Sequence, residues 1–184
     1  MVRFGELTEH VLLVDEEVAS RLHLNSEERG VLYRVAHAGE AVGREVPADV
    51  VAAIFCGIAS KRAGKQGARD CFSRVAGGVV ATLLGRLIRG RVRRQRPTTT
   101  SYGYSFPSGH GVVAMSVYWH LGNSATSNCG GRYLPSILRM SSRVFCVAVL
   151  YSRLALGRHY LSDVAAGAFL GWITPHLFVR AIVG

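Results

Sequence analysis

A chain of 184 residues is long enough for one domain with a real core and too short to expect two. It is 49% hydrophobic and only 18% charged, and its net charge of +10, carried mostly by arginine, favours anionic partners: phosphorylated substrates, anionic lipid surfaces or nucleic acid. Four cysteines (Cys56, Cys71, Cys129, Cys146) show neither CxxC spacing nor the pattern of a disulfide framework.

In chain order, residues 1–45 read as two short amphipathic helices. One lies around Asp15–Leu24, and the second follows a capping box at Asn25–Glu28 and ends near Gly39. Val18, Leu22, Val31, Leu32 and Val35 recur at helical spacing, which suits either a pair packed on the core or a pair lying in a membrane interface. Residues 1–25 mix acids with short apolar pieces and lack the basic-then-apolar pattern of a secretory signal, so internal helices are expected to bring the chain to a membrane.

After Pro47 come five apolar blocks, Val50–Ser60, Val75–Ile88, Val112–Thr126, Val144–Leu156 and Val164–Val183, rich in Ala, Leu, Gly and Val and of helical length. A spanning helix wants about 20 mostly apolar residues. Arg74, Arg86 and Arg143 interrupt several blocks earlier, although arginines near helix ends can snorkel toward headgroups. The expected fold is therefore all-α: one domain over residues 1–184, with a membrane-embedded bundle of about five apolar helices in residues 46–184. Cys56 and Cys146 fall inside apolar runs and are expected as buried free thiols, and Cys71 could bridge Cys129.

Alternation of these helices sends the connections around Lys61–Arg69 and Asn123–Arg139 to one end and those around Arg89–His110 and Gly157–Asp163 to the other. Three strings thereby meet: Arg89-x6-Arg96-Pro97, Pro107-Ser108-Gly109-His110, and Ser152-Arg153-x5-His159-x3-Asp163. In the third, an i, i+4 pair shares one helix face, so Asp163 can accept from one ring nitrogen of His159 and leave the other as nucleophile or base. The same spacing also serves a capped helix start or part of a metal site. Arg153 offers a planar fork to phosphate oxygens.

The second string precedes an apolar helix, where backbone N–H groups favour an anion. Ser108 adds a hydroxyl, Gly109 permits close backbone approach, and His110 can protonate a leaving oxygen. Alone, the string is an ordinary capping turn. Arg89–Arg96 holds five arginines in eight residues, which alone suits a solvated basic loop or a nucleic-acid patch. The absence of a recognition fold and of interleaved stacking aromatics argues against nucleic acid.

Taken together the strings resemble the signature of the type 2 phosphatidic acid phosphatase (PAP2) superfamily, which also includes bacterial class A acid phosphatases and vanadium haloperoxidases. Its second and third elements match completely; in the first, Arg89 stands where the family has lysine. The resemblance implies that His159 attacks phosphorus to form a phosphohistidine, that Asp163 orients it, and that His110 protonates the leaving oxygen. It implies phosphate binding by Arg96 and Arg153 with Ser108 and the Gly109 amide, and by Arg89 through charge alone. No metal or other cofactor is implied. The substrate it suggests is a lipid phosphate or diphosphate, polyprenyl, isoprenoid or phosphatidate-like, met by a multi-pass membrane protein whose partners are membrane lipids and not nucleic acid. A soluble acid phosphatase, a haloperoxidase and a non-catalytic anionic-lipid binder are the other readings. Oligomeric state does not follow from the sequence.

Overall fold

The computed structural model describes residues 4–24, 30–42, 45–98, 103–120 and 133–183, and every regular element among them is helical. These are α1 (Phe4–Leu22), α2 (Val31–Val42), α3 (Glu45–Val92), α4 (Gly109–Val113), which continues as a π-helix over Ala114–Trp119, α5 (Leu134–Ala155) and α6 (Leu161–Ile182). The expected capping box at Asn25–Glu28 lies outside the described residues.

Two of the expected apolar blocks, Val50–Ser60 and Val75–Ile88, fall in α3, which is two helices meeting at Gly64. The connection expected around Lys61–Arg69 is thereby reduced to a kink whose φ of 58° and ψ of −147° only glycine adopts cheaply. Good helix formers (Ala63, Lys65, Gln66, Ala68) flank the break, so the helix resumes at once instead of opening into a loop. The block beginning at Val112 departs differently: its helix widens into π turns at Ala114, and Ser142 of α5 donates to the Tyr118 carbonyl there. The expected end of that block, Thr126, lies outside the described residues. Cys146 is a buried free thiol. Cys71 is disulfide-bonded, whereas Cys129 and the Cys56 side chain lie outside what is described.

The core is built from small side chains. Ala114, Cys146 and Val149 form one buried cluster, and Ala36, Ala155 and Leu156 another. The large apolar residues point the other way: Leu83 and Leu87 of α3, Val144 and Val147 of α5, and Phe169 and Leu177 of α6 are all exposed. Small inside and large outside reverses a water-soluble bundle and matches helices that pack closely while facing acyl chains. Within α3 the segment Gly64–Val92, and α6 as a whole, are long and apolar enough to cross a bilayer. In the N-terminal pair, Val31, Leu32 and Val35 of α2 and Val11 to Val14 of α1 also face outward, not onto the core.

α6 is the element against which the site is assembled. It packs along α3 and, through Gly167 and Gly171, against the backbone of the second string and of α4. A Cβ at Gly167 would lie 2.3 Å from the Ser108 carbonyl oxygen, and one at Gly171 2.2 Å from that of Val112. Gly167→Ala is therefore expected to push α4 off α6 at a cost of about 1–3 kcal/mol, read as a lower Tm in detergent. Gly85→Ala is the control, since a methyl there meets only side-chain atoms, the nearest at 3.6 Å, and should leave Tm near wild type.

Candidate active site

α3 stops at Val92, and Arg93 takes a left-handed conformation (φ 51°) that turns the chain back toward the bundle. The next arginines thereby point inward. Arg96 donates through Nε to the Gly103 carbonyl (3.2 Å), through Nη2 to that of Tyr104 (3.3 Å) and through Nη1 to that of Arg158 (2.9 Å). The same Nη1 lies 3.3 Å from His159 Nε2. At the end of α5, Gly157 is left-handed, and the amides of Arg158 and His159 both donate to the Arg153 carbonyl, which fixes where His159 enters.

His159 is 3% exposed, and its Nδ1 lies 2.8 Å from the carbonyl oxygen of Ser105. The expected hydrogen bond to Asp163 is displaced: Asp163 Oδ2 stands 3.8 Å from Nδ1, as a nearby charge. Asp163 spends Oδ2 on the Tyr160 amide (2.8 Å), capping α6, and Oδ1 on Arg94 (3.0 Å). The two ring contacts of His159 settle its tautomer. A carbonyl offers no donor and a guanidinium no acceptor, so Nδ1 carries the proton and Nε2 the lone pair. Burial holds this imidazole below its ordinary range; the Asp163 carboxylate opposes that shift, while the charges of Arg96 and Arg153 add to it.

The second string is held against this assembly from both sides. The Ser108 amide donates to the Asp163 carbonyl at 2.9 Å, and Ser108 Oγ caps α4 by accepting from the Gly111 amide at 3.3 Å. Arg89 places Nε and Nη2 on the Pro107 carbonyl at 3.2 and 2.9 Å, with Nη2 against Gly109. That guanidinium braces the turn, a role its charge alone did not suggest. His110 hydrogen-bonds the Glu40 backbone, and its buried Nε2 has no hydrogen-bond partner among the described residues. Burial, then the charges of Arg153 and His159, push its pKa down to about 3. Arg153, 2% exposed, lies with Nη2 3.4 Å from Glu40 Oε1 of α2.

Residues of all three strings therefore meet at one end of the bundle, with Arg96 beside His159 and Ser108 tied to Asp163. Sequence reasoning missed Ser105, Glu40, Asp15, Ser162 and Arg94. Ser105 and Glu40 act partly through backbone atoms, which leave no mark on residue type. In the sequence Arg94 is one member of a run that suits a solvated basic loop, yet it binds Asp163, Ser162 and Asp15 and lies 4.1 Å over the Tyr160 ring. Asp15 carried the one legible signal, an acid directly after the apolar run Val11–Val14.

An all-helical bundle with this cluster at one end defines a class. The PAP2 superfamily profile matches residues 79–183, more than half of the chain, and the chain belongs to that superfamily. Over 95 residues it is 41% identical to probable lipid phosphate phosphatase beta of Arabidopsis thaliana, a match covering 42% of this chain and 45% of that protein. The chain thus matches less than half the length of that relative. The crystal structure of a transmembrane PAP2-type phosphatidylglycerolphosphate phosphatase from Bacillus subtilis shares the fold, with a TM-score of 0.58 over 94% of each chain at 19% identity.

Proposed function

We propose that the protein is a metal-independent phosphatase that removes phosphate from a lipid phosphate or diphosphate through a phosphohistidine, as a multi-pass membrane protein. The observation that carries this reading is the orientation of His159. Its proton is committed to the Ser105 carbonyl, and its lone pair faces the Arg96 guanidinium, where a phosphate oxygen would be drawn.

In the first step the Nε2 lone pair of His159 forms the N–P bond as the P–O bond to the lipid breaks, and His110 gives its proton to the departing oxygen. In the second, neutral His110 takes a proton from water, whose oxygen bonds to phosphorus as the P–N bond breaks, releasing inorganic phosphate. Arg96 and Arg153 hold the equatorial oxygens, and these fixed cations stabilise charge that grows in the transition state. His110 is neutral in the free protein, and a phosphate dianion bound beside it raises its pKa toward the range an acid requires.

A lipid substrate agrees with the outward apolar faces of α3, α5 and α6 and with the outward Val31, Leu32 and Val35 of α2, which suit a membrane interface. The test is phosphate release by detergent-purified protein over a panel of lipid phosphates and diphosphates, with and without EDTA. Release of phosphate that chelation leaves unchanged is expected, and activity that vanishes with EDTA would refute the metal-free mechanism.

A further inference from the structure

Asp15 lies on α1, far in sequence from all three strings, yet it is 1% exposed and reaches the heart of the cluster. Its Oδ1 accepts from the Ser162 amide at 2.8 Å, in the first turn of α6. Its Oδ2 accepts from Ser162 Oγ at 2.5 Å and from Arg94 Nη2 at 2.9 Å. Arg94 Nη1 in turn donates to Ser162 Oγ at 2.7 Å and to Asp163 Oδ1 at 3.0 Å. The hydroxyl of Ser162 thus donates once and accepts once, and one guanidinium is shared between two buried carboxylates.

We infer that Asp15 is a positioning residue for the reaction proposed above, and that α1 is a working part of the active site through it. The inference rests on His159 being the attacking group. Asp15 fixes the start of α6 and anchors one arm of the Arg94 fork; the other arm holds the Asp163 carboxylate, which stands 3.8 Å from the His159 ring. Remove the Asp15 charge and the whole Arg94 cation falls on Asp163, while the fork loses the anchor that sets its direction. The Asp163 carboxylate then shifts relative to His159.

The deciding variant is Asp15→Asn, which keeps an acceptor for the Ser162 amide and discards the charge that faces Arg94. It is expected to lower kcat by at least about 10-fold, toward the roughly 100-fold that a 1 Å misplacement can cost, with KM close to wild type. Tm should fall, because the asparagine Nδ2 then faces the Arg94 and Ser162 donors. In 15N-histidine NMR the His159 ring nitrogens, assigned with His159→Ala, should move. Arg94→Lys, which keeps charge without the fork, should do the same and answers the question if Asp15→Asn does not fold. Combined with Arg94→Lys, Asp15→Asn should add little further loss, because both break one linkage. Wild-type kcat and unmoved His159 resonances, with only Tm lowered, would reduce Asp15 to a helix cap and overturn the inference. Losses that multiply in the double variant would overturn it too. A wild-type protein that releases no phosphate would instead defeat the functional reading, and the ring-nitrogen shift would still decide the role of Asp15.

Discussion

His159→Ala is expected to abolish phosphate release, by several orders of magnitude, because in the proposed mechanism His159 forms the covalent intermediate. The loss should exceed anything that unfolding explains. Alanine leaves the Ser105 carbonyl without the Nδ1 donor at 2.8 Å, which costs about 1–3 kcal/mol of stability, measurable as a modest fall in Tm. Rapid quench with a 32P-labelled substrate separates the two effects: the wild type should show an acid-labile, alkali-stable phosphoprotein and the variant none. Turnover close to wild type would remove His159 from the attacking role. The pH profile gives a further reading of the same group. In the proposed mechanism the neutral ring attacks, and burial lowers its pKa. For an aryl phosphate, whose leaving oxygen needs no proton from His110, kcat/KM should therefore not fall as pH drops through about 6.5, the ordinary imidazole value. It should decline only below that.

His110→Ala is expected to lower release from an alkyl lipid phosphate by roughly 10²–10⁴-fold, the usual worth of a placed general acid. An aryl phosphate, whose leaving oxygen needs no proton to depart, should lose far less in its first step. Equal losses of kcat/KM, which reports the first step, on the two substrates would assign His110 to binding instead. The same residue should respond to occupancy of the site. Its pKa near 3 in the free protein comes from burial beside Arg153 and His159, and a bound dianion reverses the sign of the local field. NMR titration with orthovanadate should therefore move the His110 ring toward its protonated form.

Much of this was legible one residue at a time. Helical class followed from apolar blocks of Ala, Leu, Gly and Val, because their lengths exceed those of strands. Candidate site residues followed from side chains whose chemistry is scarce: two histidines, a carboxylate and three arginines at fixed spacings. What stayed hidden was of a different physical kind. At Gly64 the sequence shows a glycine inside an expected connection, but not that the connection shrinks to this one non-helical residue between two helices. An i, i+4 His–Asp pair announces proximity, yet the backbone carbonyl of Ser105, from a loop more than fifty residues upstream, lies 2.8 Å from Nδ1 and leaves Asp163 at 3.8 Å.

Arg94 makes the division plain. Nothing in composition separates it from Arg91 or Arg93, all in one basic run. Its distinction arises from the turn at Arg93, which aims it inward, and from α1, which brings Asp15 to meet it. The sequence by itself determined the superfamily, the helical class and the groups able to do the chemistry, since those depend on residue identity and local spacing. The tertiary structure decided which nitrogen of His159 carries the proton, that Arg89 braces a turn, and that an N-terminal carboxylate anchors the site. Each of these depends on contacts between residues distant in the chain and on backbone atoms that every residue type shares.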